Sequence, residues 1–338
     1  MKIGVMGAGA IGCYVGGCLA ADGADVVFVG RDRIKREVAF SGLVLTDLDG
    51  ARSKAVPKEK LAFTTDAASM RDRDVVFCCV KTAQTAEAAH LLRGVLRSSA
   101  IVVSMQNGLH NAEVLRQGLA TQTVLGGIVG FNVVSKGAGA FRRGTSGPLV
   151  IEASTDLRVT KVAAALVASG FEVEVREDIR ALQWSKLVMN LNNAVSAITD
   201  RPTQDLLFVD EYRKVLAAII AEAVDVLKTA KVPTARLGAL PVELFPMMLK
   251  LPTPILRVVA RTQVKIDPEA RSSMCEDLAK GRATEVDYLN GEIVRLAESV
   301  GARAPLNRRI VEIVHEIERR GTGTPKLGAQ ALWQELHR

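Results

Sequence analysis

Aromatic residues are scarce in this chain of 338 residues, where Phe, Tyr and Trp together make up 4%. Proteins that bind nucleic acid commonly stack bases on aromatic side chains placed among basic residues. Basic residues are in excess here, with a formal net charge of +7, but they are scattered among acids without interleaved aromatics. We therefore expect a solvated surface and an anionic small-molecule ligand, and no nucleic-acid partner.

Cysteine is also rare: the chain has five, an odd number, and none has the paired spacing of a zinc site. Cys78 and Cys79 are adjacent in an apolar strand pattern, where successive side chains point to opposite faces. The sequence thus predicts reduced cysteines that serve packing, and no metal site.

No apolar run reaches the length that a membrane span needs. One candidate is interrupted by asparagines around Asn190, and another by Glu222 and Asp225. The first thirty residues could pass for a secretory signal, but five glycines between Gly7 and Gly17 argue against one. We expect a cytoplasmic protein without membrane contacts.

The length exceeds that of a usual single core and predicts two domains. Strand and helix patterns alternate up to about residue 177, and helical patterns dominate from 178 to 338. This order indicates an α/β Rossmann-type domain followed by an all-α domain. The predicted strands are Lys2–Met6, Asp25–Val29, Asp74–Val80, Ala100–Met105, Thr123–Val134, Phe141–Ile151 and Phe171–Val175, with a hairpin over Gly42–Pro57.

The second half carries four helical patterns: Trp184–Thr199, Glu211–Ala230, Glu285–Val300 and Asn307–Glu318. Between Pro233 and Asp267 four further prolines predict an irregular, lid-like stretch. The polar, glycine-containing tail is predicted to be loosely held.

The organising motif directly follows the first strand. Gly7, Ala8, Gly9, Ala10, Ile11 and Gly12 form G-x-G-x-x-G between a strand and a helix, the setting in which it binds a dinucleotide. The first glycine permits a tight turn, the second lets the backbone approach a diphosphate, and the third lets helix and strand pack closely. The diphosphate then lies at the helix N-terminus.

Three polar residues follow later strands of the same sheet. Arg31 stands where NAD-binding proteins place an acid, so it suits the 2′-phosphate of NADP, although it could be a surface cation. Lys81 follows a buried strand and could meet the adenosine phosphate or solvent. Asn107 lies at the same rim, within an Asn-Gly pair that could be only a turn.

The helical half has its own polar group. Lys186 and Asn190 are four residues apart, and Asn193 returns to nearly the same azimuth of one helix. Such groups are expensive to bury unless they bind something polar, and a desolvated lysine can have a lowered pKa that fits proton donation. The alternative is a lysine that extends to solvent beside capping amides.

Ser273 and Glu285 allow two interpretations. Ser273 with Glu276 has the spacing of a capping box, and Thr284 can cap a helix that has Glu285 in its first turn. Spacing alone favours helix caps.

The order and approximate spacing of these motifs resemble the ketopantoate reductase family. The motifs are Gly7–Gly12, Lys81-Thr82, Gln106-Asn107-Gly108, Lys186-Leu187-x-x-Asn190, Ser273-Met274 and Gly281-Arg282-x-Thr284-Glu285-x-Asp287. The resemblance covers residues 1 to about 310. It implies NADPH-dependent reduction of 2-dehydropantoate to pantoate, within pantothenate and coenzyme A synthesis, and a second domain like the C-terminal domain of 6-phosphogluconate dehydrogenase.

The resemblance also implies residue roles. Lys186 resembles the catalytic lysine that protonates the keto oxygen, and Glu285 resembles the acid that holds substrate hydroxyls. Ser273 resembles the ligand of the substrate carboxylate, with Asn190 and Asn107 as amide contacts. Arg31 and Lys81 resemble the basic pair on the NADP 2′-phosphate.

Three departures from the family pattern concern the substrate side. Ala194 stands where a second asparagine is usual, and Asn193 could serve instead. His110 replaces a usual glycine, and the Pro233–Asp267 stretch is extra. Two other readings therefore stay open: a related reductase of another small 2-keto acid, and a non-catalytic NADP sensor. A homodimer is also open.

Overall fold

The structure is a computed structural model that describes residues 1–236, 240–263, 267, 270–321 and 323–338. The chain divides into two compact units, Met1–Ile179 and Arg180–Arg338, called here the amino-terminal unit and the helical unit. The sequence pattern changes at about residue 177, which is close to this division. The fold class is the predicted one, an α/β parallel-sheet unit followed by a helical unit.

The amino-terminal unit alternates strands and helices. Its strands are β1 (Lys2–Met6), β2 (Asp25–Val29), β3 (Leu43–Thr46), β4 (Ser53–Val56), β5 (Ala62–Thr64), β6 (Val75–Cys78), β7 (Ile101–Ser104), β8 (Thr123–Val129), β9 (Val133–Gly137), β10 (Ala140–Arg143), β11 (Leu149–Glu152) and β12 (Val173–Arg176). Its helices are α1 (Ala10–Ala21), α2 (Asp32–Ser41), α3 (Thr85–Arg93), α4 (Asn111–Gly118) and α5 (Arg158–Ala168).

Eight strands form one sheet in the order β12-β11-β8-β7-β6-β1-β2-β5. Neighbours are parallel except β11 and β8, which are antiparallel. The chain leaves β1 for β2 on one side and later returns to β6 on the other. In such doubly wound sheets ligands bind beyond the carboxyl ends of the strands, where the order reverses. Here that point lies between β1 and β6.

A second sheet of four strands has the order β4-β3-β10-β9. The predicted hairpin is confirmed as the antiparallel pair of β3 and β4. The predicted strands over 123–134 and 141–151 each split between the two sheets: β8 and β11 join the large sheet, and β9 and β10 the small one. Glycines within a strand pattern indicate where a strand is interrupted, but they do not predict which sheet each resulting strand joins.

Helix α1 lies between the two sheets. A Cβ on Gly16 would come within 2.6 Å of Val5 and 2.7 Å of Phe28 in the large sheet. A Cβ on Gly17 would come within 2.8 Å of Leu45 in the small sheet. The glycines of α1 therefore permit close packing on two opposite faces.

The described elements of the helical unit are all helices. They are α6 (Ile179–Asn190), α7 (Asn192–Thr199), α8 (Thr203–Phe208), α9 (Asp210–Thr229), α10 (Phe245–Met248), α11 (Thr253–Gln263), α12 (Ser273–Ala279), α13 (Asn290–Ser299), α14 (Pro305–Arg320) and α15 (Ala329–Leu336). In the described part of the chain, no helix combines the length and hydrophobicity needed to cross a bilayer.

The prediction of one helix over Trp184–Thr199 is wrong. Helix α6 ends at Asn190, and the Leu191 N–H donates to the Val188 carbonyl at 3.3 Å, a tighter turn before α7 begins. Asparagine side chains compete for backbone groups and favour such breaks. Asn193 therefore lies on a different helix from Lys186.

Helix α13 also starts later than predicted. A 3-10 turn over Val286–Tyr288 precedes it, and α13 itself begins at Asn290. The apolar residues keep helical spacing through this turn, so the sequence pattern does not distinguish the 3-10 turn from the α-helix that follows it. The proline-rich stretch contains α10 and α11, and its residues 237–239 and 264–266 lie outside the described residues.

The prediction of a loosely held tail is wrong as well. The tail forms α15, with Leu332 and Leu336 buried on one face. Arg309 of α14 donates to Glu335 at 2.8 Å, and the Lys214 ammonium lies 4.3 Å from the Trp333 ring centroid. The polar composition concealed an apolar pair four residues apart, which is enough to attach one short helix.

Candidate functional site

The glycine turn joins β1 to α1 at the point where strand order reverses. Gly7 has a φ of +100°, and a Cβ there would approach the Val80 nitrogen to 2.5 Å. A Cβ on Gly12 would approach the Gly7 carbonyl oxygen to 2.4 Å. Gly9 differs from both, because it is exposed and no atom lies within 4 Å of its Cβ position. The turn is closed by packing at Gly7 and Gly12 and open at Gly9.

Helix α1 begins at this open position. Gly9 is its N-cap, without a side-chain cap, and the Cys13 N–H makes a helical bond to the Gly9 carbonyl at 2.8 Å. The N–H groups of a first helical turn have no acceptor within the helix and attract anions. Ala10 and Ile11 are partly exposed, whereas Ala8 is buried and donates its N–H to the Val29 carbonyl at 3.0 Å. The open glycine and the uncapped helix fit a dinucleotide diphosphate.

Arg31 follows β2 and is the N-cap of α2, with an exposed side chain. The next residue, Asp32, is the kind of acid that a ribose hydroxyl would attract. Its carboxylate accepts hydrogen bonds from Arg36 one turn along α2. The end of β2 therefore presents an exposed guanidinium beside an acid that already has a cationic partner.

Lys81 and Asn107 follow the neighbouring strands β6 and β7. Lys81 precedes a 3-10 turn that begins at Thr82, and its side chain is partly exposed. The Asn107 carbonyl accepts from the Thr82 hydroxyl at 3.0 Å and from the Asn111 amide at 2.5 Å. The structure thus ties the two predicted ligand segments together at the carboxyl edge of the sheet.

Lys186 lies on α6 and is partly exposed. Burial lowers its pKa from the usual 10.5 to about 8, because removal of water penalises the charged ammonium. The adjacent Ser185 hydroxyl contacts the Ala235 carbonyl at 2.7 Å, and the Ala235 N–H donates to the Ser185 oxygen at 3.1 Å. The chain after α9 is thereby held against α6 at the residue that precedes the lysine.

The two predicted asparagine side chains, Asn190 and Asn193, are buried. Asn190 shares α6 with Lys186, as predicted, and Asn193 lies on α7. The Asn193 carbonyl accepts from the Ser272 hydroxyl at 2.8 Å, which joins α7 to the start of α12.

The predicted capping box at Ser273 is wrong. The N-cap of α12 is Ser272, whose hydroxyl accepts from the Cys275 N–H at 3.3 Å. Ser272 is buried, and Ser273 is exposed as the first residue of the helix. An N-cap has extended backbone and a side chain that accepts from the first turn, and Ser272 meets both conditions, whereas Ser273 is already helical.

Glu285 is 7% exposed and lies on a turn that is held from two sides. Arg282 pairs with the buried carboxylate of Asp277 on α12 at 2.9 Å. The Thr284 N–H donates to Glu318 of α14 at 2.7 Å. The predicted helix cap at Thr284 is replaced by this bond and by a turn in which Thr284 accepts from the Val286 N–H at 3.2 Å.

The predicted residues therefore form two groups. The glycine turn, Arg31, Lys81 and Asn107 share the carboxyl edge of the large sheet. In the helical unit, α12 connects two predicted residues. Its N-cap Ser272 bonds to Asn193, and its Asp277 pairs with Arg282 in the turn that carries Glu285. Within the described residues, no cluster of His, Cys, Asp and Glu has the arrangement of a metal site.

Sequence reasoning missed the residues that support these groups, namely Thr85, Gln106, Asn111, Ser272, Asp277 and Glu318. Asn111 and Gln106 flank the Asn-Gly pair, and Asp277 precedes the Gly281-Arg282 motif. All three lie close to the motifs in the sequence, but the partners of the supporting residues are up to 79 residues away. No periodic pattern reports such contacts.

The amino-terminal unit is a doubly wound sheet with an open glycine turn, and the helical unit carries a lysine of lowered pKa. This combination is typical of dinucleotide-dependent reductases. Residues 3–156 match the family model for ketopantoate reductase PanE/ApbA, and residues 178–318 match the model for its C-terminal part. The chain is 30% identical to a 2-dehydropantoate 2-reductase of Halobacterium salinarum over 95% of this chain and 100% of that one. The chain belongs to the ketopantoate reductase family.

Solved structures agree with this assignment. A PanE/ApbA family ketopantoate reductase from Ralstonia eutropha is 32% identical, with a TM-score of 0.78 over 95% of this chain and 99% of that one. A D-mandelate dehydrogenase with NADH and anilino(oxo)acetate is 21% identical, with a TM-score of 0.76 over 95% and 99%. A dimeric ketopantoate reductase from Staphylococcus aureus is 16% identical, with a TM-score of 0.69 over 95% and 100%. The last two likenesses show the fold alone.

Proposed function

We propose that this protein reduces 2-dehydropantoate to pantoate with NADPH, a step in pantothenate and coenzyme A synthesis. The observation that carries the proposal is the Lys186 ammonium, which burial brings to a pKa of about 8 on a helix beside buried amides. An ammonium with such a pKa is charged at neutral pH and gives up its proton readily.

The amino-terminal unit supplies the cofactor site in this proposal. The N–H groups of Ala10 and Ile11 bind the diphosphate beside Gly9, while Gly7, Ala8 and Gly12 give the turn its shape. Arg31 and Lys81 bind the 2′-phosphate of the adenosine ribose, and Asn107 contributes contacts to both the cofactor and the substrate. When bound, the reduced nicotinamide supplies a hydride.

The helical unit supplies the substrate groups. Lys186 donates a hydrogen bond to the keto oxygen and transfers its proton there as the oxygen gains negative charge. Glu285 accepts a hydrogen bond from the substrate hydroxyl, and Ser273 donates to the carboxylate. Asn190 and Asn193 orient the acid, with Asn193 in the role that Ala194 cannot fill.

The direct test mixes purified protein with NADPH and 2-dehydropantoate and follows the absorbance of the reduced nicotinamide. We expect oxidation of NADPH that depends on the keto acid, with pantoate as the product by mass spectrometry. Tight binding of NADPH without oxidation by any acid would instead support the sensor interpretation.

A second candidate is reduction of a different 2-keto acid. The structural likeness to a D-mandelate dehydrogenase shows that one fold serves more than one 2-hydroxy acid, so the fold does not select the substrate. A panel of branched and aromatic 2-keto acids separates the candidates. The highest kcat/KM for 2-dehydropantoate supports the first, and a higher value for another acid supports the second.

The preference for NADP over NAD rests on Arg31. Replacement by alanine is expected to weaken NADP binding by about tenfold and to leave NAD binding nearly unchanged, because only NADP carries the 2′-phosphate. Calorimetric titration of the oxidised cofactors measures both affinities.

The matched control is Arg33→Ala. Arg33 is also an exposed cation of this segment, but it pairs with Glu37 of the same helix. If Arg33→Ala weakens NADP as much as Arg31→Ala, general positive charge explains the preference and Arg31 has no specific role.

We also propose a cytoplasmic homodimer. All five cysteines are free, which suits a reducing compartment, and a relative from Staphylococcus aureus is described as dimeric. Light scattering on the purified protein measures the assembly, and a monomeric mass would refute the dimer.

A further inference from the structure

A buried polar network lies under the carboxyl edge of β6 and β7. It consists of Ser104, Thr85, Gln106 and Asn111, each at most 9% exposed. We propose that Asn111, supported by this network, is a positioning residue that holds the Lys81 and Asn107 segments in the geometry needed for NADPH. The inference rests on the proposed function, because it names what aligns two of the proposed ligands.

Asn111 makes the central contacts. Its amide nitrogen lies 2.5 Å from the Asn107 carbonyl oxygen and 3.5 Å from the Thr82 hydroxyl. A carbonyl can only accept, so the NH₂ group of Asn111 must face Asn107. The Thr82 hydroxyl donates to the same carbonyl at 3.0 Å. One carbonyl thus collects two donors, from the segments that follow both strands.

The other side of Asn111 is fixed equally. Its carbonyl oxygen lies 2.8 Å from the Thr85 hydroxyl, which also accepts from the Gln106 amide at 2.7 Å. The Gln106 carbonyl in turn accepts from the Ser104 hydroxyl at 3.0 Å. Each of the four side chains in this network therefore has a hydrogen-bond partner. A buried network whose members are all hydrogen-bonded favours a single conformation.

The location of this network indicates that it positions the Lys81 and Asn107 segments in addition to stabilising the fold. An apolar cluster of similar size would stabilise the fold without the cost of burying amides and hydroxyls. This network instead ends on two backbone carbonyls, that of Asn107, which Asn111 contacts, and that of Thr82, which lies 2.8 Å from the Thr85 hydroxyl. Thr82 directly follows the proposed ligand Lys81. The turn that carries Asn107 includes Gly108 at a φ of +92°, and because glycine restricts its own backbone little, the two hydrogen bonds to the Asn107 carbonyl help to define the turn.

The decisive variant is Asn111→Asp. It keeps the shape but places a carboxylate oxygen against the Asn107 carbonyl, so that two acceptors face each other. We expect the NADPH dissociation constant, measured by cofactor fluorescence, to rise at least about tenfold. The keto acid KM at saturating NADPH is expected to rise less than the NADPH dissociation constant, because Asn107 is one substrate contact among several and the others, such as Ser273 and Glu285, belong to the helical unit.

Gln122→Glu is the matched control. The Gln122 amide also donates to backbone carbonyls, those of Leu96 and Arg97, but at the opposite, amino-terminal edge of β7 and β8. The Gln122→Glu variant should bind NADPH with an affinity within about twofold of that of the wild-type protein.

A second pair of variants covers the case in which Asn111→Asp does not fold. Thr85→Val removes the central hydroxyl at constant volume and should weaken NADPH binding, whereas Thr85→Ser should retain most of it. Equal NADPH affinity in Asn111→Asp and the unchanged protein would overturn the inference. So would an equal loss in Gln122→Glu. If the unchanged protein binds no NADPH, the proposed function fails as well, and the two failures are thereby distinguished.

Discussion

Replacement of Lys186 by alanine is expected to lower kcat for the keto acid by about 10²- to 10⁴-fold, the usual contribution of a general acid. The substrate oxygen gains negative charge as it is reduced, and the variant offers it neither a positive charge nor a proton. Steady-state rates at saturating NADPH measure the effect. Lys228→Ala removes an exposed lysine of α9 and should leave the rate unchanged. Turnover that survives Lys186→Ala would refute the assigned acid.

The same lysine sets the pH dependence. Because only the ammonium donates a proton, kcat/KM should fall as pH rises through the Lys186 pKa of about 8. A profile that stays level to pH 10 would contradict this role. Other groups could impose additional limits at low pH without affecting this arm of the profile.

Stability provides an independent check on Lys186. Its folded pKa of about 8 lies below the ordinary 10.5, so the unfolded chain binds more protons between these values. The free energy of unfolding therefore rises with pH from about 8 to 10.5, and the charged lysine costs stability below pH 8. Lys186→Met should be more stable at pH 7 by roughly 1–3 kcal/mol, and loss of activity in this variant as well would exclude unfolding as the cause.

Replacement of Gly9 by alanine is expected to weaken NADPH binding on the order of 100-fold while the fold is retained. The added Cβ projects into open space in the structure, with no atom within 4 Å. That space is where the diphosphate must approach the backbone, so the methyl group excludes the ligand without straining the protein. Fluorescence titration and thermal unfolding together measure the two effects.

Two other glycines provide comparison variants for Gly9→Ala. Gly94→Ala is the matched control, because Gly94 is also exposed with open space at its Cβ position, but follows α3. Gly12→Ala should instead lower thermal stability, since its Cβ would lie 2.4 Å from the Gly7 carbonyl oxygen. Unchanged NADPH affinity in Gly9→Ala would show that the diphosphate binds elsewhere.

The sequence by itself determined the elements with strong local signals. The first two strands, Lys2–Met6 and Asp25–Val29, agree with prediction residue by residue, and the long helix over Glu211–Ala230 is shifted by one residue. Alternation, helical spacing and glycine position are properties of neighbouring residues, so no folded chain is needed to see them. The ordered set of motifs likewise predicted the family before any contact was known.

The tertiary structure decided which polar groups form hydrogen bonds with each other and how exposed each of them is to water. Spacing predicted Ser273 as the cap of α12, whereas the structure gives that role to Ser272, whose hydroxyl also donates to the Asn193 carbonyl of α7. The lowered pKa of Lys186 comes from desolvation, and the support of Asn107 comes from Asn111 and Thr82 across a sheet edge. Such effects depend on distant segments that fold against each other, and a local pattern carries no information about them.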